Sequence, residues 1–139
     1  MKLSPSNTSR LLLHETFLEQ YTGFLEKHIE RVEALNTQLK KSRDHPTAGK
    51  VLHAISVPAL RSKLYRMHVA GRRGFRYIYF YQASKAPGQS IVLPIFISPD
   101  IKSNFDYDKA SSVFECLAEQ IVEDLKAKNW TRFKEFQLV

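Results

Sequence analysis

A chain of 139 residues has the length of one ordinary domain, and 43% apolar with 25% charged residues is a folding composition, which excludes disordered and fibrous classes. The single cysteine, Cys116, has no intrachain disulfide partner and fits a reducing compartment. The start MKLSPSNTSR lacks the apolar core of a secretory signal, and no later run has the length of a membrane span, so the expectation is a cytoplasmic protein without membrane association.

The net charge of +7 is unevenly spread: no acidic residue lies between Asp44 and Asp100, while Lys50, Arg61, Lys63, Arg66, Arg72, Arg73, Arg76 and Lys85 supply eight positive charges there. The rest of the chain, with thirteen basic and fourteen acidic residues, is nearly neutral. A segment of one sign attracts polyanions, nucleic acid foremost, although a solvated basic surface has the same composition.

In chain order, residues 1–10 read as a flexible leader and 11–139 as a single domain. LLLH at residues 11 to 14 is a short apolar run suited to a first strand. From Thr16 onward Phe17, Tyr21, Leu25, Ile29, Val32, Leu35 and Leu39 recur every three or four residues, the spacing of an amphipathic helix. Gly23 is the expected kink or break, giving one long helix, two nearly continuous ones or a helical hairpin. SRDHPTAGK is a turn-rich interruption.

The period then shifts to two. KLYRMHV and FRYIYFY flank AGRRG and predict an antiparallel hairpin. After the loop QASKAPGQS, IVLPIFI is apolar on both faces, as a central strand covered on two sides would be; Pro94 donates nothing to a ladder and predicts an irregularity or a local edge. A helix follows from Tyr107, capped by Asp106 or Asp108, with an apolar stripe running through Ala118, Ile121 and Leu125. Cys116 falls within or beside that stripe and reads as packing, and Trp130, Phe133 and Phe136 in the tail read as core contacts. The predicted class is α+β, a small antiparallel or mixed sheet with helices gathered to one side.

The chemistry concentrates in YRMHVAGRRGFRYIYFY, which holds four arginines, a histidine and four tyrosines with no acidic residue. Arg66 and His68 share a strand face. A three-residue loop closed by Gly74 pairs His68 with Arg76 and puts all three on that face; a two- or four-residue loop sends Arg76 to the other, and the closing glycine favours the first. Two guanidiniums around one imidazole suit a phosphodiester. The planar forks bind phosphate oxygens, and their charge favours the neutral imidazole able to accept a proton. For RNA that proton is on the ribose 2′-hydroxyl next to the scissile phosphate. Two plainer readings stand beside this one: Arg76 paired with a carboxylate of the long helix, and Tyr77, Tyr79 and Tyr81 covered by a helix rather than stacking bases. The remaining histidines show no metal-ligand spacing, and no cofactor fingerprint occurs, so no metal or cofactor is expected.

The succession LYRMHV, GFRYIYFY, IVLPIFIS and DIKSNFDYD resembles the RelE/ParE toxin superfamily, especially its RelE-like and HigB-like ribonuclease members, over roughly residues 11 to 110 and most strongly from Leu64 to Ile97. The resemblance implies the toxin of a toxin-antitoxin pair, an endoribonuclease cleaving mRNA in solution or on the ribosome without a metal, and silenced by an antitoxin protein. It implies catalytic roles for His68 as base, Arg76 and Lys102 as charge stabilisers and Tyr107 as an orienting or stacking group. Arg66 would hold phosphate, with Arg61, Lys63, Arg72 and Arg73 extending the RNA-binding surface. Arg66 and His68 stand where the family often has two lysines, and the C-terminal helix is larger than in a minimal toxin. A ParE-like topoisomerase inhibitor or an inactive antitoxin-binding homologue is the alternative.

Overall fold

The computed structural model describes residues 9–52, 55, 57–69, 75–86, 88–98 and 107–136, with side chains from 115 onward in the last helix. Residues 1–8 of the expected leader, Arg72, Arg73, Lys102 and the tip of the hairpin lie outside the described residues; the last two leader positions are structured, Ser9 being buried and Arg10 opening the first strand.

The class is α+β, as the alternation of periods predicts: six strands and three α-helices among the described residues. Strand β1 (Arg10–His14) leads into α1 (Glu15–Lys27) and, through a 3₁₀ turn at Ile29–Arg31, into α2 (Val32–Asp44). Then come β2 (Lys50–Val51), β3 (Leu64–His68), β4 (Arg76–Gln82), β5 (Ile91–Ile97), α3 (Tyr107–Lys126) and β6 (Phe133–Glu135). The sheet order is β2-β3-β4-β5-β1-β6, antiparallel except for the parallel pair β1 and β5.

Helices cover both sides of the sheet, not one. Leu11 and Leu13 face a core shared with Phe17 and Phe24 of α1 and Leu35 and Leu39 of α2, while Leu12 faces one shared with Ala118, Ile121 and Val122 of α3. The reason lies in β1 and β5, which are buried on successive residues and therefore need cover above and below. Pro94 acts as expected. The register of β4 against β5 shifts between Ile78, opposite Phe96, and Tyr79, opposite Pro94, leaving Ile95 as the extra residue of a bulge.

The first two helices separate at His28 rather than at Gly23, which lies inside an unbroken α1. They pack side by side, with the Tyr21 hydroxyl donating to Asn36 at 2.6 Å. The Gln20 carboxamide takes the place of a strand beside β5. Its Nε2 donates to the Ile95 carbonyl and its Oε1 accepts the Ile97 N–H, both at 2.9 Å, where β1 has already left the edge.

Two buried polar contacts join the layers. His14, fully buried, caps α1 by accepting the Thr16 N–H at Nδ1, so Nε2 carries the proton and donates to Asp124 on α3 at 2.7 Å. That bond, with a second from Asn129, holds the Asp124 carboxyl below the usual range. The tail extends the sheet beyond β1 as β6, a strand the sequence reading does not contain; Phe133 and Phe136 pack on the two cores as expected, whereas Trp130 is half exposed. Cys116 is exposed, on the solvent side of α3 rather than in its stripe.

Two of the three tyrosines of β4 are helix-covered, and Tyr81 is only partly buried. Tyr77 and Tyr79 are both fully buried against the face that α1 and α2 occupy, their hydroxyls bonded to Ser42 at 2.9 Å and to the Pro46 carbonyl at 2.7 Å. Tyr79 also accepts the Gly49 N–H. Removing that hydroxyl in Tyr79→Phe strands two polar groups, with an expected loss of about 1–3 kcal/mol in urea unfolding; an unchanged midpoint would show that the loop before β2 does not depend on it.

Candidate functional site

The hairpin takes the register that the closing glycine favours. His68 lies opposite Arg76, Met67 opposite Tyr77 and Arg66 opposite Ile78. The Val69 N–H bonds the Phe75 carbonyl at 2.7 Å, which makes 69 and 75 a hydrogen-bonded pair and 68 and 76 the closer, non-hydrogen-bonded kind. Side chains of such a pair have Cβ atoms about 4.5–5.5 Å apart, and Arg66 sits two residues, about 6.6 Å, along the same face. Arg66, His68 and Arg76 therefore converge at one end of the hairpin.

Arg76 is held through its backbone. Its N–H donates to the Ser98 hydroxyl at 2.9 Å, and its carbonyl accepts the Ser98 N–H at 2.8 Å. The side chain is half-buried, and its Nε and Nη1 are both sealed from solvent with no hydrogen-bond partner among the described residues. A carboxylate clamp from the long helix is thus not what orients this guanidinium. An enclosed cationic donor without an acceptor is unfavourable by itself, and an incoming anionic oxygen would satisfy it. His68 is exposed, and its pKa lies below the ordinary imidazole value, through partial desolvation first and then the charges of Arg76 and Arg66. Near neutral pH it is the proton acceptor that this chemistry needs.

The other predicted residues divide. Arg61 follows the 3₁₀ turn at Pro58–Leu60 and donates from Nε to the Ile55 carbonyl, and Lys63 reaches Gln82. Both precede β3, and Lys63 is five residues, about 16 Å of strand, from His68; the fold does not bring them to the cluster. Tyr107 opens α3. Sequence reasoning passed over Ser98, which fixes the Arg76 backbone, and Lys50, which lies opposite Arg66 in the β2–β3 pair. The parity of β2 would have revealed Lys50, but two residues are too short a strand to read from a pattern.

No three His, Cys, Asp or Glu side chains among the described residues are grouped to hold a metal, and no described helix is long and apolar enough to cross a membrane. No family model matches the chain, and no curated protein or solved structure is similar enough to count as a match. The arrangement stands on its own geometry.

An NMR titration should place His68 below the ordinary imidazole midpoint. Replacing Arg76 by Gln should raise that midpoint only part of the way, because desolvation, the larger cause, stays. A wild-type midpoint at or above the ordinary value would mean that the cations do not face the ring.

Proposed function

We propose that this protein is an RNA-cleaving toxin of the RelE-like kind, with the cluster at the end of the β3–β4 hairpin as its active site. The observation that carries the reading is Arg76, whose enclosed Nε and Nη1 are unsatisfied beside a histidine kept neutral. A scissile phosphate set beside His68 would lie against the positive charge of Arg76. The adjacent ribose 2′-hydroxyl then gives its proton to the free nitrogen of His68, its oxygen attacks phosphorus, and the bond to the 5′-oxygen breaks as that oxygen takes up a proton from solvent water. Charge gathering on the phosphoryl oxygens falls to Arg76, with Arg66 holding phosphate alongside. In this reading Lys102 shares the charge and Tyr107 orients the substrate, as the resemblance implies.

Only RNA carries the attacking hydroxyl, so DNA of the same sequence would bind without being cut. The basic face around the hairpin is also what an antitoxin with an acidic or helical segment would cover, which makes such a protein the proposed partner.

Purified protein incubated with RNA, alone and with translating ribosomes, should yield fragments ending in a 2′,3′-cyclic phosphate. His68→Ala should slow cleavage about 10²–10⁴-fold and Arg76→Ala about 10²–10³-fold. The acid limb of the pH profile should lie below the ordinary histidine range and move upward in Arg66→Gln. Intact RNA in both settings, together with growth arrest and inhibited supercoiling in cells, would replace this reading with the topoisomerase alternative.

A further inference from the structure

The backbone of Arg76 is placed by one residue. Arg76 forms with His68 the non-hydrogen-bonded kind of pair, so its N–H and C=O point away from β3 and toward β5. Both end on Ser98, the N–H on the hydroxyl and the carbonyl on the N–H. Ser98 is fully buried and falls opposite Arg76, one step beyond the Tyr77–Ile97 pair, only because of the bulge. Had the register of Tyr79 with Pro94 continued, Ile97 would stand there instead; the extra residue Ile95 advances β5 by one position.

A bulged stretch needs support along its outer edge. The parallel neighbour β1 pairs with β5 only at Ile91 and Val92, far short of the bulge. Beyond it the Gln20 carboxamide takes over, with Nε2 donating to the Ile95 carbonyl and Oε1 accepting the Ile97 N–H. One donor and one acceptor, set against positions two apart, are what a residue of a parallel strand supplies, so a side chain of α1 prolongs the ladder by one unit. Gln20, Ile97 and Ser98 also line a cavity of about 610 Å³. The space left by removing the carboxamide joins that cavity, and water entering it satisfies the two backbone groups without fixing them as rigidly.

We infer that Gln20 is a positioning residue for the cluster: by holding the bulged end of β5 from α1 it keeps Ser98 where it fixes the Arg76 backbone, and so sets the approach of the guanidinium to His68. The inference rests on the RNA-cleavage reading for what the cluster does. It adds that a helix without a residue in the cluster governs its geometry.

The test compares Gln20→Met and Gln20→Glu with the wild-type chain by backbone amide and histidine NMR. Methionine keeps the shape of glutamine without either bond. In Gln20→Met the Arg76 and Ser98 amide signals should move, and the His68 midpoint should rise toward the ordinary imidazole value as Arg76 withdraws, while urea unfolding stays cooperative. RNA cleavage should fall about tenfold to 10²-fold. A side chain that only supports the fold would lower the unfolding midpoint and leave His68 where it was. Gln20→Glu is the second variant. Its protonated carboxyl has the donor and acceptor of the carboxamide and its ionised form has acceptors alone, so the Arg76 amide should match wild type at the same pH in acid and depart from it as the carboxyl ionises. An unmoved Arg76 amide and His68 midpoint in folded Gln20→Met, or an Arg76 amide that matches wild type at every pH in Gln20→Glu, overturns the inference, and RNA cleavage at the wild-type rate in that variant leaves the catalytic reading standing. The expected shifts in a protein that cleaves no RNA would retain the positioning and remove the catalysis.

Discussion

The burial of two phenol hydroxyls governs the rest. Tyr77 and Tyr79 lie wholly under α1 and α2, and each ring reaches a partner, Ser42 for one and Pro46 with Gly49 for the other, that only this depth provides. Because side chains alternate along a strand, seating these two tyrosines sends Arg76, Ile78 and Phe80 to the opposite face. A slip of one residue would carry the two tyrosines to the α3 side, away from Ser42, Pro46 and Gly49, and bury a guanidinium in the first core. The hairpin register, and with it the meeting of Arg76 with His68, is therefore enforced from the face of the sheet that α1 and α2 cover.

What that register assembles is electrostatically uncomfortable. Arg66, His68 and Arg76 are neighbours of the kind that repel when all are charged, and Arg76 encloses two donors without acceptors. A site selected for stability alone would place a carboxylate there, as His14 has Asp124 across the other core. The contrast between these two histidines is instructive. One is buried, fully bonded and joins two layers; the other is exposed, its pKa lowered, and has no hydrogen bond to a described residue. Tension at one end of the hairpin is tolerated because packing elsewhere holds the backbone.

Much of this was legible in the residues. The hairpin followed from period-two spacing, its register from a glycine at the loop's end, and the disturbance in β5 from a proline that cannot donate. The failures share one cause: short or tertiary effects leave little local pattern. Gly23 was the obvious helix breaker, yet the chain parts at His28, whose ring packs on Phe75 at 4.6 Å, a contact invisible without the fold. β6 is three residues long and exists because β1 has a free side. The helices were expected on one face, although the double-sided hydrophobicity of LLLH already implied two.

The position of β1 has a consequence for how the protein is made. A strand containing Leu11, Leu12 and Leu13 leaves the ribosome early, but its sheet neighbours are Ile91 and Val92 on one side and residues 133 to 135 on the other. At ordinary elongation speeds the first of these arrives on the order of ten seconds later. Throughout that interval three consecutive leucines have no sheet to join, and β6 closes over a strand synthesised more than a hundred residues earlier.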